Sequence, residues 1–230
     1  MSRIVLKISG EALKSASEIV SDKKLEIVLE TIKILKEMGH KIAVVVGGGN
    51  IFRGRDHLEM NKISADTIGM LGTVINALFI KEYLQANNHQ CIVTTPFIFP
   101  NLLNNYTKEE VEHYYNEGTI VVFGGGIGKS GYSTDSGTIL SSELLNADLI
   151  VKMTNVDGVY DSDPKLNKDA KKFANLKYDD VLENHYKVMD EYAVLKCKEK
   201  NIKILVMNFL SYKDIKKYFK GEKVGTLIGG

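Results

Sequence analysis

Short runs of consecutive apolar residues alternate along this chain with longer stretches in which apolar positions recur every three or four residues. The runs Arg3–Ile8, Lys41–Val46, 90–95, 119–123, 149–153 and 203–207 read as strands. Several are apolar on successive residues, which suits strands covered on both faces of a parallel sheet. Between them, Leu25, Val28, Leu29, Ile32 and Leu35 recur at helical spacing up to a stop at Gly39. Thr107 and Glu110 form a capping box for a helix running to Gly118. Strands alternating with helices predict an α/β fold: a three-layer α/β/α sandwich around a mainly parallel central sheet. The stretch 64–87 differs, because apolar residues cover nearly every side of the helix it would form. Such a helix is either central to the core or a subunit interface, and the pattern leaves both open.

At 230 residues, 44% of them hydrophobic, the chain can bury a substantial core, and no linker or repeat divides it, so a single compact domain over 1–230 is expected. Charged residues make up 26% and the formal net charge is +1, so no nucleic-acid partner is expected. Two cysteines, Cys91 and Cys197, are too few for a disulfide framework and point to a reduced, intracellular setting. The first residues, MSRIVLKISGEAL, lack the apolar core and cleavage site of a signal peptide. No uninterrupted apolar run approaches the ~18 residues of a membrane span. A cytoplasmic protein with no membrane partner is the expectation. The histidines His40, His57, His89, His113 and His185 are scattered, so no protein-held metal site is expected.

Three glycine-containing turns follow apolar runs: Ser9-Gly10-Glu11, Gly47-Gly48-Gly49-Asn50, and Gly124-Gly125-Gly126-Ile127-Gly128-Lys129. In a parallel sheet all three fall at the carboxyl edge, where α/β proteins bind ligands. Bare glycine backbone lets N–H groups approach an oxyanion, and Lys7, Arg53 and Lys129 add full charges nearby. Neither the P-loop spacing nor the dinucleotide fingerprint fits these turns. Any one of them could be an ordinary strand-to-helix turn, but three at one sheet edge point to an anion site.

These turns belong to a longer ordered set: VLKISGEAL (5–13), VVVGGGNIFRG (44–54), ADTIGMLGTVINAL (65–78), STDSGTILSSELLNADLIVKMTNVDGVYDSDP (133–164), KVMDEYAV (187–194) and GTLI (225–228). The set resembles the bacterial uridylate (UMP) kinases of the amino-acid kinase superfamily, nearly end to end. The resemblance implies reversible phosphoryl transfer from ATP to UMP, giving ADP and UDP, with Mg²⁺ carried by ATP. It also implies a UMP-binding N-terminal lobe, an ATP-binding C-terminal lobe, a homo-oligomer in the form of a hexamer, and UTP as an inhibitor. Two other functions stay in view: a superfamily kinase acting on a carboxylate or carbamate, and a catalytically silent nucleotide-binding regulator.

Carried over residue by residue, the resemblance gives Lys7 to the transferring phosphoryl group, with Asp135 orienting the catalytic lysines, chiefly the one at Lys7. Ile8, Ser9, Gly10, Gly49, Arg53, Thr154, Asn155, Tyr160 and Asp163 fall on the ATP side, with Tyr160 against the base and Asp163 toward the ribose. Gly48, Asp66 and Ile127, Gly128, Lys129, Ser130, Gly131, Tyr132, Ser133 and Thr134 fall on the UMP side. Asp66 and Asp135 also lie near helix starts, where a plain capping or dipole role competes. Asp190 either faces the site or simply begins a helix. Independently of the resemblance, Val156-Asp157-Gly158-Val159 reads as a hairpin turn.

Two departures stand out. Many relatives carry T-G-N-P-F-F-T-T before the aspartate, where this chain has Ile127-Gly128-Lys129-Ser130-Gly131-Tyr132-Ser133-Thr134. The gained Lys129 is expected to contact phosphate on the UMP side or to remain a solvated side chain. Relatives activated by GTP often have a glycine-rich stretch after GEAL, where this chain reads Lys14-Ser15-Ala16-Ser17-Glu18-Ile19-Val20. Weak or no GTP activation is therefore expected.

Overall fold

The structure is a computed structural model that describes residues 1–164 and 166–230, and the side chains of all of these except Arg55. In chain order the elements are β1 (Arg3–Ile8), α1 (Gly10–Leu13), α2 (Asp22–Glu37), β2 (Lys41–Val46), α3 (Lys62–Ala86), β3 (Cys91–Thr94), α4 (Lys108–Asn116), β4 (Ile120–Phe123) and α5 (Thr134–Leu144). They continue with β5 (Leu149–Thr154), β6 (Asn175–Leu176), α6 (Tyr178–Glu183), α7 (Glu191–Lys200), β7 (Lys203–Asn208), α8 (Ile215–Phe219) and β8 (Thr226–Ile228). One sheet takes all the strands in the order β3-β4-β2-β1-β5-β7-β8-β6. Every neighbouring pair is parallel except β7 with β8.

Side-chain alternation along β1 shows why its sequence is apolar throughout. Ile4, Leu6 and Ile8 face a core shared with Leu29 and Ile32 of α2, Ile80 of α3 and Ile215 of α8. Val5 faces the opposite core, with Tyr115 of α4, Ile139 of α5 and Val194 of α7. Helices on both faces of one sheet make the three-layer sandwich that the alternating pattern predicts. Lys7 has the parity of Val5, so its side chain leaves the sheet on the α5 face, at the carboxyl end of β1. This geometry places the sequence's chemistry at one edge.

Helix ends follow their local chemistry. The capping box on α4 is formed: Thr107 Oγ1 accepts from the Glu110 N–H at 3.2 Å, and Glu110 Oε2 accepts from the Thr107 N–H at 2.7 Å. At the start of α3, Asn61 accepts from the Ile63 and Ser64 N–H groups. Asp66 is therefore free of the capping role that competed for it. The long apolar helix resolves into two faces. Ala65, Val74, Ala77, Ile80 and Leu84 are buried, while Ile68, Leu71, Ile75 and Phe79 form an exposed stripe.

Three expectations need correction. By length and composition α3 is apolar enough to cross a membrane, because single polar residues such as Thr73 and Asn76 barely lower the average; it is, however, built into the core along one face. The strands β6 and β8 went unrecognised, since two and three residues are too short to show as apolar runs. Asp157-Gly158 does not close a tight hairpin. The antiparallel pairing starts later, at Tyr160 with Lys172, and the Phe173 N–H donates to the Val159 carbonyl at 2.9 Å. Asp157 is occupied instead by Tyr160 and Lys172, whose hydroxyl and ammonium groups donate to it at 2.6 and 2.7 Å.

Candidate active site

The three glycine turns meet. After β1 the chain turns at Ser9 into α1, and the Gly47 N–H donates to the Ile8 carbonyl at 2.9 Å. A Cβ on Gly10 would lie 2.3 Å from Asn50 Oδ1 and 2.8 Å from both the Gly47 carbonyl and the Gly49 nitrogen. Only glycine lets the first two turns approach so closely. Asn50 is in turn locked to Asn76 of α3: their amides exchange hydrogen bonds of 3.0 and 2.7 Å, and Asn76 Nδ2 also donates to the Gly47 carbonyl at 2.7 Å. A Cβ on Gly48 would lie 2.6 Å from the Gly69 carbonyl, so α3 packs directly on the second turn. The third turn joins through Thr73, whose Oγ1 accepts from the Gly125 N–H at 2.5 Å. α3 is thus the post to which the turns are tied.

Charge gathers where α5 begins. Ser133 caps α5, accepting from the Asp135 and Ser136 N–H groups. Asp135 lies on the first turn and points at the sheet: Lys7 Nζ is 2.9 Å from its Oδ1, and Lys152 Nζ of β5 is 3.8 Å from its Oδ2. Burial works against the Asp135 charge, but Lys7 and then Lys152 outweigh it and hold the carboxyl below the ordinary aspartate range. Asp190 caps α7 through a 2.8 Å bond from the Ala193 N–H, and its carboxylate also accepts from the Ser133 and Ser136 hydroxyls. Its own N–H reaches Asp135 Oδ2 at 3.3 Å. Asp190 thus begins a helix, as one of its two alternatives had it, and it also touches Ser133, Ser136 and Asp135.

Two cavities are lined by residues that the resemblance assigns to the nucleotides. One of about 450 Å³ is lined by Gly48, Gly49, Arg53, Asp66, Gly126, Ile127, Tyr132, Ser133 and Thr134 among others. Arg53 is held there by Glu11, with Nη2 at 2.6 Å from Glu11 Oε1, and its Nε donates to the Gly49 carbonyl at 3.0 Å. Glu11 also pairs with Lys14 at 2.6 Å. Asp66 Oδ2 accepts from the Ser130 hydroxyl and, at 2.8 Å, from the Gly131 N–H, and these two bonds hold its carboxyl below the usual range. Gly128, Lys129, Ser130 and Gly131 are not among the residues lining the cavity, and Lys129 is exposed.

The second cavity, about 360 Å³, is bounded by Val156, Tyr160, Asp163, Asn184, Tyr186 and Lys187 among others. Thr154 ends β5 and leads to Asn155, whose carbonyl accepts from Asn208 Nδ2 at 3.3 Å. Gly158 packs tightly here; a Cβ would lie 2.7 Å from Thr226 Oγ1. That hydroxyl accepts from the Val159 N–H and donates to the Phe173 carbonyl. Ile8 and Ser9 stand at the end of β1, with Ile8 wholly in the core.

Lys152 is the functional candidate that motif reasoning missed. It is the fourth residue of β5, a lysine inside a strand whose neighbours are buried, and that position is the signal that could have found it. Asn76 was missed for a similar reason, as a polar residue in the middle of an apolar helix. No group of three or more histidine, cysteine, aspartate or glutamate side chains arranged to hold a metal occurs among the described residues. Asp135, the carboxylate nearest the site's centre, is committed to two lysines.

The amino acid kinase family model matches residues 2–208. The uridylate kinase of Fervidobacterium nodosum is 39% identical over 227 residues, covering 98% of this chain and 97% of that protein. The chloroplastic uridylate kinase PUMPKIN of Arabidopsis thaliana is 38% identical over 232 residues, covering 99% of this chain and 68% of that one. Among solved structures, the UMP kinase from Bacillus anthracis superposes with a TM-score of 0.94 at 35% identity, over 99% of this chain and 96% of that chain. The UMP kinase from Ureaplasma parvum gives 0.91 at 32% identity, over 100% and 99%. The sheet order, the tied turns and these likenesses agree, and the chain belongs to the amino acid kinase family.

Proposed function

We infer that this protein is a UMP kinase that moves the terminal phosphoryl group of ATP to UMP. The observation that carries this reading is the convergence of three glycine-containing turns at the sheet edge that holds Lys7, itself paired with Asp135, with a cavity of about 450 Å³ lined by Gly48, Gly49 and Thr134. Near full-length likeness to proteins named uridylate kinase supports the choice of acceptor. Phosphoryl transfer asks for alignment and positive charge over the moving group rather than for covalent help. In this reading the cavity lined by Gly48, Asp66 and Thr134 takes UMP, and the cavity at Tyr160 and Asp163 takes the adenosine of ATP. Lys7 meets the phosphoryl group in transit. Arg53, preset by Glu11, brings a guanidinium suited to phosphate geometry to the rim. A UMP phosphate oxygen is already anionic, so Asp135 serves to orient Lys7 and removes no proton.

Mg²⁺ fits this site as a companion of the ATP phosphates, retaining water ligands, because the nearby carboxylates are engaged by lysines, hydroxyls and backbone N–H groups. When bound it neutralises charge on the phosphate chain. The exposed stripe Ile68, Leu71, Ile75 and Phe79 supports a homo-oligomer, for which a hexamer is our proposal. We further propose a cytoplasmic enzyme of pyrimidine nucleotide synthesis, inhibited by UTP and little activated by GTP. Lys129 remains our candidate for an added phosphate contact on the UMP side; unchanged apparent UMP affinity in Lys129→Ala would remove it.

The test is a coupled assay with ATP, Mg²⁺ and a panel of acceptors comprising UMP, CMP, dUMP, carbamate, aspartate and glutamate, repeated with GTP or UTP present. UDP formation is expected with UMP. ADP release with carbamate or aspartate, and none with UMP, would overturn the reading. Tight UMP binding without UDP formation would instead mark a silent nucleotide-binding protein.

A further inference from the structure

Asp66 is the one carboxylate among the described residues that line the first cavity. The same wall carries Arg53 and the bare glycine turns, a setting for an anion, so a carboxylate there needs a reason. Arg53 does not neutralise it, being paired with Glu11 at 2.6 Å. Lys62, one turn earlier on α3, acts on it only through space. Its bonded partners come from the segment that follows the third turn: the Ser130 hydroxyl and, at 2.8 Å, the Gly131 N–H. Both donate to Oδ2. Among the described residues no donor reaches Oδ1.

The segment is shaped for this grip. Gly131 has φ +87°, and a Cβ on it would meet nothing within 4 Å, so backbone conformation and not lack of space calls for glycine there. That conformation sets its N–H beside the Ser130 hydroxyl, on the same oxygen. Ser130 and Gly131 do not line the cavity, whereas the next three residues, Tyr132, Ser133 and Thr134, do. The grip therefore lies behind the wall and leaves Oδ1 as the acceptor that Asp66 can offer in front of it. A carboxylate oxygen with open lone pairs calls for a hydrogen-bond donor on the ligand. A uridine nucleotide has donors on its sugar and on its base. The base N–H lies between two carbonyl oxygens, whose lone pairs would face the carboxylate. A sugar hydroxyl has no such flanks and can rotate its hydrogen to the acceptor, so the sugar is the fitting partner.

We propose that Ser130 is a positioning residue for acceptor recognition: with Gly131 it fixes one oxygen of Asp66, so that the other receives a hydroxyl of the acceptor's sugar. The proposal rests on the reading that the acceptor is UMP. Ser130 touches no substrate and acts through Asp66. With the carboxylate held in one orientation, an acceptor that has the hydroxyl gains a charge-assisted bond, and one that lacks it leaves a desolvated oxygen unpaired. Ser130 also lies in the stretch 127–134 that departs from the pattern of many relatives, so the grip belongs to this chain's own sequence.

The test measures binding of UMP and of its two monodeoxy analogues, lacking either the 2′- or the 3′-hydroxyl, by titration calorimetry on the full chain, alongside initial rates with ATP and Mg²⁺. Ser130→Ala should weaken UMP binding and raise its KM about five- to tenfold, the scale of one hydrogen bond to a charged group, with kcat changed by less than about twofold. For the analogue that wild type binds more weakly, the same substitution should cost less than about twofold, because the missing hydroxyl and its positioning act as one unit. Ser130→Thr, which keeps the hydroxyl, should bind UMP within about twofold of wild type. A residue that only supported the loop would weaken all three ligands alike. Equal losses for the three ligands, UMP binding unchanged in Ser130→Ala, or Ser130→Thr as weak as Ser130→Ala would each overturn the proposal. Wild-type protein that binds UMP with this hydroxyl dependence but forms no UDP would overturn the proposed reaction and leave the role of Ser130 supported. UDP formation with a KM indifferent to Ser130→Ala would overturn the role of Ser130 alone, and absence of UMP binding would overturn both.

Discussion

At Asp135 a single carboxylate faces two ammonium groups, and its removal is the most severe change available at this site. Asp135→Asn would leave Lys7 and Lys152 side by side with no carboxylate in ion-pair reach. Breaking one partner out of such a buried cluster costs about 3 kcal/mol or more. We expect a lower urea midpoint and a fall in kcat of at least a hundredfold, measured by equilibrium denaturation and steady-state assay respectively. Lys7→Met should lower kcat comparably while costing less stability, because Lys152 remains to face Asp135. Equal destabilisation by the two substitutions would show that Lys152 does not share the carboxylate. Lys7, Asp135 and the glycines could be recognised in the sequence because they fall in motifs at strand and helix ends. Lys152 carries a weaker signal, a single lysine inside an apolar strand, which gains weight only once the flanking strands β1 and β7 show that β5 is central.

α3 is put to use on both of its faces. One face enters the core, Asn76 and Thr73 hold the glycine turns, and Asp66 fastens the segment at 130–131. The other face is the exposed apolar stripe. Phe79→Glu with Ile75→Lys should leave the monomer fold intact, as both positions are exposed, and should shift the oligomer toward smaller species by light scattering. An unchanged mass would assign the stripe no part in association. Periodicity found this helix and its unusual apolar character, but could not divide its faces, because the residues of both are equally hydrophobic. The short strands β6 and β8 escaped for a different reason: their pairing is imposed by the neighbouring strand β7 and by Thr226, not by local pattern. The Asp157-Gly158 turn was misjudged because its aspartate is claimed by a tertiary partner, Lys172, which a dipeptide rule does not contain.

For the molecule as a whole, the charge cluster makes a statement about pH. Burial brings the native Lys152 ammonium down to about 8, below the ordinary lysine value of 10.5, so between these limits the unfolded chain binds more protons. Stability from this group therefore rises with pH from about 8 toward 10.5, and the full cost of burying the ammonium is borne below 8. Asp135 works at the other end: its native pKa is depressed, so its contribution is complete above the ordinary aspartate value of about 4 and is lost as pH falls through the lower native value. Comparing urea midpoints of wild type and Lys152→Met at pH 7.5 and 9.5 isolates the first effect from tyrosine ionisation. The difference between the two proteins should change across that interval in favour of wild type. A constant difference would show that Lys152 is not held with a depressed pKa.

Thr226 joins distant stretches of chain behind Gly158 and Val159, which line the second cavity. Its hydroxyl ties Val159, 67 residues earlier, to Phe173, and it abuts Gly158. That wall cannot close during synthesis until residue 226 has left the ribosome. A nascent polypeptide stalled short of that point should bind the donor nucleotide poorly even with its glycine turns already in place, which would keep half-made chains from consuming ATP.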